Sequence, residues 1–186
     1  MTNASGLGGR RPAALSPGLV APVVAILRAA VRPVTAVATF TLGVAGIAGL
    51  LAGDLRTPLV AACHLVLVVG ISLVAHESAH ILLLRSPRDR RVAGVVHGSW
   101  TQVWVECPQL SRRWAIAVAT AGPVMGALSC YALTFTGLRT PICWAVAVVH
   151  LANLLPFVGD GKVVLVNCLS ALIRQPRRSA TDAEGA

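Results

Sequence analysis

Charge is scarce in this 186-residue sequence: Asp, Glu, Lys and Arg together make up 12% of it, about half the share in a soluble globular chain. So little charge cannot cover a water-facing surface, and a chain with 55% hydrophobic residues is not disordered, so a membrane protein is the first class to consider. Aromatic residues are scarce too, at 4%. The formal charge of +9 therefore does not signal nucleic acid, whose binders interleave basic stripes with stacking aromatics. Here the basic residues lie between apolar runs. Cys63, Cys107, Cys130, Cys143 and Cys168 contain no CxxC pair, which argues against a disulfide frame or a cysteine zinc site and reads as reduced packing residues.

What the sequence does have is long apolar runs, at 34–53, 58–84, 114–137 and 142–173. A helix needs about 20 apolar residues to cross the hydrocarbon core, and each run is long enough. The fourth exceeds that length and is interrupted by Pro156, Gly159 and Gly161, which predicts a broken helix. Residues 1–33 hold Arg10, Arg11, Arg28 and Arg32 around a short apolar run at 19–27 that contains Pro22. They read as a cytoplasmic, membrane-skimming arm, and less well as a signal peptide because no convincing cleavage site follows. The first span takes 34–57, a three-helix core with a loop at 85–113 takes 58–173, and 174–186 is a polar cytoplasmic tail.

The expected fold class is thus an all-α integral membrane protein of about four transmembrane helices, with a short membrane-associated β-hairpin between spans two and three. The arginines orient it. Arg85, Arg88, Arg90, Arg91, Arg112, Arg113, Arg174, Arg177 and Arg178 join the N-terminal four on one side, leaving Arg56 and Arg139 on the other. Excess Arg marks the cytoplasmic side, so both termini and the 85–113 loop are expected there. The excess of Arg over Lys, with abundant Ala, Val and Gly, suggests a GC-rich bacterial genome, hence a multi-pass protein of a bacterial cell membrane. Gly43, Gly46 and Gly49, and Gly122 with Gly126, have the spacing that lets helices approach in lipid and read as packing residues.

Within the loop, 92–96, the turn-forming Gly98-Ser99 and then 100–106 alternate polar and apolar residues as a half-buried hairpin does. Trp100, Gln102 and Trp104 fall on one face of it. Two readings stand: tryptophans anchoring a loop at headgroup level, or a strand edge that captures an extended peptide by main-chain hydrogen bonds.

The chemistry is concentrated in His76-Glu77-Ser78-Ala79-His80, an HExxH. Histidines at i and i+4 share one helix face and can share one metal ion, while the intervening glutamate is placed to take a proton from water. Ionisable residues inside a span are costly and point to function. A tetrahedral site needs a third protein ligand, and the intramembrane candidates are His64, His150 and Asp160. His64 is about 18 Å from His76 along the same helix and cannot reach. Counting helical rise from the outer edge of each span puts Asp160 level with His76, and His150 about 15 Å nearer the outer face, so Asp160 is the better ligand.

HESAH on one span, Ala121-Gly122-Pro123 on the next, and Asn153-Leu154-Leu155-Pro156 followed by Asp160-Gly161 on the one after resemble the site-2 protease family of intramembrane zinc metalloproteases. The resemblance covers about residues 58–173 and matches a minimal form without PDZ or nucleotide-sensing domains. It implies a single Zn2+ held by His76, His80 and Asp160, Glu77 as the general base, and Asn153 beside the substrate backbone. It also implies that the 92–106 segment, with Trp100, Gln102 and Trp104, lies along the substrate. The implied activity is endopeptidase cleavage of a transmembrane segment near the cytoplasmic side. The partners are then a single-span membrane protein or peptide, the bilayer, and an adaptor or a second copy, with no nucleic acid.

Three features depart from the family pattern: Gly159 and Lys162 flank Asp160-Gly161 where the family usually has Leu and often a second Gly, the path from Asn153 to Asp160 is shorter, and Ala79 stands where a glycine is common. The path is one residue shorter than usual, which Gly159 and Gly161 can absorb. Lys162 follows closely, where it can snorkel to the interface, pair with Asp160 or stabilise an oxyanion. The rival readings are a non-catalytic metal-binding adaptor, or another membrane HExxH peptidase with a glutamate as third ligand. The second has only Glu106 and Glu184 to draw on after His80, and neither lies in a span.

Overall fold

The computed structural model describes residues 13–14, 20–85, 95–99, 103–106, 110–157 and 159–173. The apolar runs form helices α1 (Val20–Ala52), α2 (Arg56–Leu84), α3 (Arg112–Leu133), α4 (Thr140–Ala152) and α5 (Gly159–Ile173), with a 3-10 turn at Thr134–Thr136. Among the described residues three stretches are long and apolar enough to cross a membrane, Pro22–Ala52, Arg56–Leu84 and Arg112–Thr136. Their outward side chains, Phe40, Ile47, Leu51 and Leu128 among them, are exposed. So much continuous apolar surface needs lipid rather than water as its solvent, and the chain is a membrane-embedded helical protein.

The fourth apolar run is divided. Its halves, α4 of 13 residues and α5 of 15, are each shorter than the ~20 residues of a crossing. They are joined by a turn through 153–157 in which Pro156 cannot continue the ladder. Helix α3 is the hub, packing against α2, α4 and α5. Its inward stripe of Val118, Ala119, Gly122, Gly126 and Cys130 recurs at helical spacing, as do Ser72, His76, Ala79 and His80 on α2 and Cys143, Val146, Ala147 and His150 on α4. Cys130 and Cys143 sit buried in one cluster with Val68 and Val146 as free thiols, while Cys63 and Cys168 are exposed and free; Cys107 lies outside the described residues.

The start of α1 departs from the expected boundary at residue 34. The helix begins at Val20 and takes in the apolar run placed in the arm. The reason is local: Pro22 falls in the first helical turn, where its missing N–H costs nothing, so it starts a helix rather than breaking one. This part of α1 is also the part with a partner. Ile26 and Ala30 are buried against Ile81 near the end of α2 and against Val96 and Val103. Those valines belong to β2 (Val95–Gly98) and β3 (Val103–Glu106), which pair antiparallel with His97 opposite Trp104. A short strand β1 (Ala13–Ala14) adds to the other edge of β2, with Ala13 opposite Val96. Two alanines carry no strand signal, so this pairing had no trace in the sequence.

At the opposite end, Asp54 accepts the N–H groups of Arg56 and Thr57 at 3.0 and 3.2 Å and so satisfies the first turn of α2. Hydrogen bonds from the Thr57 side chain and backbone hold its carboxyl below the ordinary aspartate value.

Candidate metal centre

His76 and His80 are neighbours on the inward face of α2, one turn apart, with ring centroids 4.9 Å from each other and planes at 76°. Both are buried. His80 Nδ1 lies 2.7 Å from the backbone carbonyl of Val118 on α3. A carbonyl only accepts, so Nδ1 carries the proton and Nε2 of the neutral ring is a lone pair. That Nε2 stands 3.7 Å from Oδ2 of Asp160, and His76 Nε2 stands 3.2 Å from the same oxygen.

The ligand-type atoms of His76, His80 and Asp160 all lie within 4.8 Å of one another. The His80 Nε2 lone pair and the Asp160 carboxylate repel in so buried a place unless a proton or a cation stands between them, and one metal ion can join all three groups. The spacing suits a first-row metal: nitrogen and oxygen donors at ~2.0–2.1 Å in a tetrahedron are separated by about 3.3 Å. The donor set therefore fits a divalent metal ion on chemistry and on size. The imidazoles are closed in, at 7% and 10% side-chain exposure, whereas Asp160 is 24% exposed, so the triad opens on the α5 side.

The break between α4 and α5 delivers Asp160. The Gly161 N–H donates to the carbonyl of Asn153 at 2.8 Å, closing the loop back on the end of α4. Gly159 has φ of 26°, and a Cβ on Gly161 would meet the Leu154–Leu155 backbone, so the shorter path is traversed by two residues without side chains. Asp160 then falls in the first turn of α5, where the helix dipole favours a carboxylate. At its other end α5 is held by Arg112 of α3, whose Nη2 donates to the Ser170 carbonyl at 3.0 Å.

Glu77 is buried beside His76, and its Oε2 is a buried oxygen with no hydrogen-bond partner among the described residues. An unpaired acceptor in so apolar a setting is expensive and suits a group that exchanges a proton. Asn153 stands at the C-cap of α4, half-buried, and what it gives the site here is its carbonyl. Lys162 is exposed on α5. His64 is outside the triad, its Nδ1 buried without a partner among the described residues. Trp100 and Gln102 lie outside the described residues; Trp104 lies in β3.

Three residues near the triad stand differently from the sequence reading. His150 is not 15 Å nearer the outer face: its Nδ1 is 3.2 Å from Nδ1 of His76, with ring centroids 5.2 Å apart. The depth count treats neighbouring spans as parallel rods of equal rise, and α4 and α2 do not align that way. Gly122 and Gly126 are more than helix-packing residues. A Cβ on Gly122 would press into the His80 ring and fall 2.7 Å from His76 Nε2, and one on Gly126 would fall 2.5 Å from His150 Nδ1. The signal was present in their i, i+4 spacing on α3, which repeats that of His76 and His80, but spacing alone does not name what fills the gap.

Comparison of the chain with protein-family models, with curated proteins and with solved structures finds no match.

Proposed function

We propose that this protein is a zinc-dependent intramembrane endopeptidase of the site-2 protease type, cleaving a transmembrane segment of a membrane protein near the cytoplasmic side. The observation that carries the reading is the meeting of His76, His80 and Asp160, from helices distant in sequence, beside a buried glutamate. The fold supports it as well: the triad stands in a membrane-embedded helical bundle, its histidines about 6–12 Å short of the Leu84 end of α2 by helical rise.

Two histidines and one aspartate are the ligand number of a catalytic rather than a structural zinc site, which keeps one position open. Held by His76, His80 and Asp160, a zinc ion would supply Lewis acidity toward a peptide carbonyl and a water molecule. Glu77 accepts the proton from the attacking water on its carboxylate and passes it to the leaving amine as the peptide bond breaks. Val118 fixes the orientation of His80 through its carbonyl, and the Asn153–Gly161 bond fixes that of the Asp160 loop. The substrate segment must unwind, because a helix shields its own amides. The strand pair β2–β3, packed against the first half of α1, is the element suited to hold an extended peptide, and Asn153, at the C-cap of α4, is the side chain suited to bond its backbone.

The test is purified protein in detergent, assayed for zinc and for cleavage of a panel of single-span substrates. The expected result is one zinc per chain and cleavage that falls by about 10²–10⁴-fold in Glu77→Gln with zinc content unchanged. Zinc binding with no cleavage by either protein would favour a metal-binding adaptor, and absence of zinc would overturn the reading.

A further inference from the structure

His150 is buried in the last turn of α4, with its Nδ1 3.2 Å from Nδ1 of His76. It meets Nδ1 of His76, whereas Nε2 of that ring faces Asp160, so His150 stands outside the ligand set. A hydrogen bond between two ring nitrogens needs one proton and one lone pair, which leaves two arrangements for neutral rings. If His150 donates, the His76 proton sits on Nε2 and points at Asp160 Oδ2, 3.2 Å away, in the place of a cation. If His150 accepts, His76 carries its proton on Nδ1 and turns the Nε2 lone pair toward His80 and Asp160.

We propose that His150 is the positioning residue of the metal centre: its Nδ1 accepts the His76 Nδ1–H and holds His76 in the tautomer whose Nε2 can bind metal. This rests on the metal reading of the triad and deepens it. The two histidines are then oriented alike, each with Nδ1–H given to an acceptor behind it, Val118 carbonyl for His80 and the His150 ring for His76. Partners of this kind fix the tautomer and ring direction of ligating histidines and raise their basicity. The site is built for this ring. Only a residue without a side chain at 126 leaves room for it, since a Cβ would fall 2.5 Å from His150 Nδ1 and 2.6 Å from Cγ.

Zinc affinity measured by chelator competition on the purified full chain in detergent tests this without any protease assay. Substitution His150→Leu removes the acceptor and is expected to weaken zinc binding about 10–100-fold. In His150→Gln an amide oxygen can accept the same hydrogen bond, so affinity stays within a few-fold of the starting protein. Gly126→Ala deletes no polar group but displaces the ring, and is expected to weaken binding in the same direction. Gly46→Ala, where an added Cβ meets nothing within 4 Å, leaves it unchanged. Melting temperatures of the metal-free proteins are read alongside. Affinities that merely track melting temperature across the set overturn the proposal, as does His150→Leu binding zinc like the starting protein. If His150→Leu does not fold, unchanged affinity in Gly126→Ala overturns it instead. Failure of the unsubstituted protein to bind zinc sinks the metal reading itself, a result separable from either of these.

Discussion

The candidate metal centre depends on a side chain that is missing. Gly122 lets α3 approach α2 until its backbone faces both His76 and His80, and a Cβ there would occupy the space of the His80 ring. Gly122→Ala is therefore expected to displace both imidazoles and abolish stoichiometric zinc binding, although alanine is intrinsically the better helix former by about 1 kcal/mol. Metal analysis of the purified variant checks this, with Asp160→Ala, which removes one of three protein ligands, as the reference for complete loss. Retention of zinc by Gly122→Ala would show that α3 does not press on the site. At this scale the sequence was legible where the rule is local. His76, Glu77 and His80 follow from a four-residue helical repeat, whereas placing Asp160 needed a resemblance and a depth count. The same count misplaced His150, because depth is a property of how helices cross and not of their sequence.

Helix α5 presents Asp160 from a short element that packs chiefly on α3 and leaves Val163, Val166 and Leu169 exposed. Its two ends are tied by different means: the Asn153–Gly161 backbone bond at the start, and Arg112 on the Ser170 carbonyl at the finish. That carbonyl is among the last four of the helix, which have no partner within it, and a cation at a helix C-terminus is favourable by roughly 0.3–1 kcal/mol. Arg112→Ala should loosen α5 without touching the ligands. The expected outcome is faster amide exchange across 159–173 and a zinc affinity reduced by less than in Asp160→Ala, with Arg112→Lys in between. Exchange unchanged in α5 would mean that the arginine contributes nothing to its placement. The break that creates α5 was legible, since Pro156 and two glycines interrupt an apolar run. The start of α1 was not, because Pro22 reads as a breaker until its position in the first turn is known, and its partners in β2 and β3 are distant in sequence.

At the scale of the molecule, the chain separates its charge from its apolar surface along one axis. The N-terminal half of α1, the end of α2, the start of α3 and the end of α5 gather at one end, as the packing of Ile26 and Ala30 on Ile81, Val96 and Val103 and the Arg112–Ser170 bond require. Arg28, Arg32, Arg85, Arg112 and Arg113 lie at that end; Arg56 and Arg139 lie at the other, at the starts of α2 and α4. Loops rich in arginine stay on the cytoplasmic side, so the candidate metal triad, whose histidines lie in the last third of α2, is expected nearer the cytoplasm. A fluorescent protein fused to the C-terminus should then fold and fluoresce, and an alkaline phosphatase inserted in the turn between Ala52 and Arg56 should be active. Because the arginines fix the direction and the helices fix the depth, the opposite pair of signals would move the triad toward the outer face. A substrate would then be cut near its outer end, and the two reporters decide between these sides without any knowledge of what that substrate is.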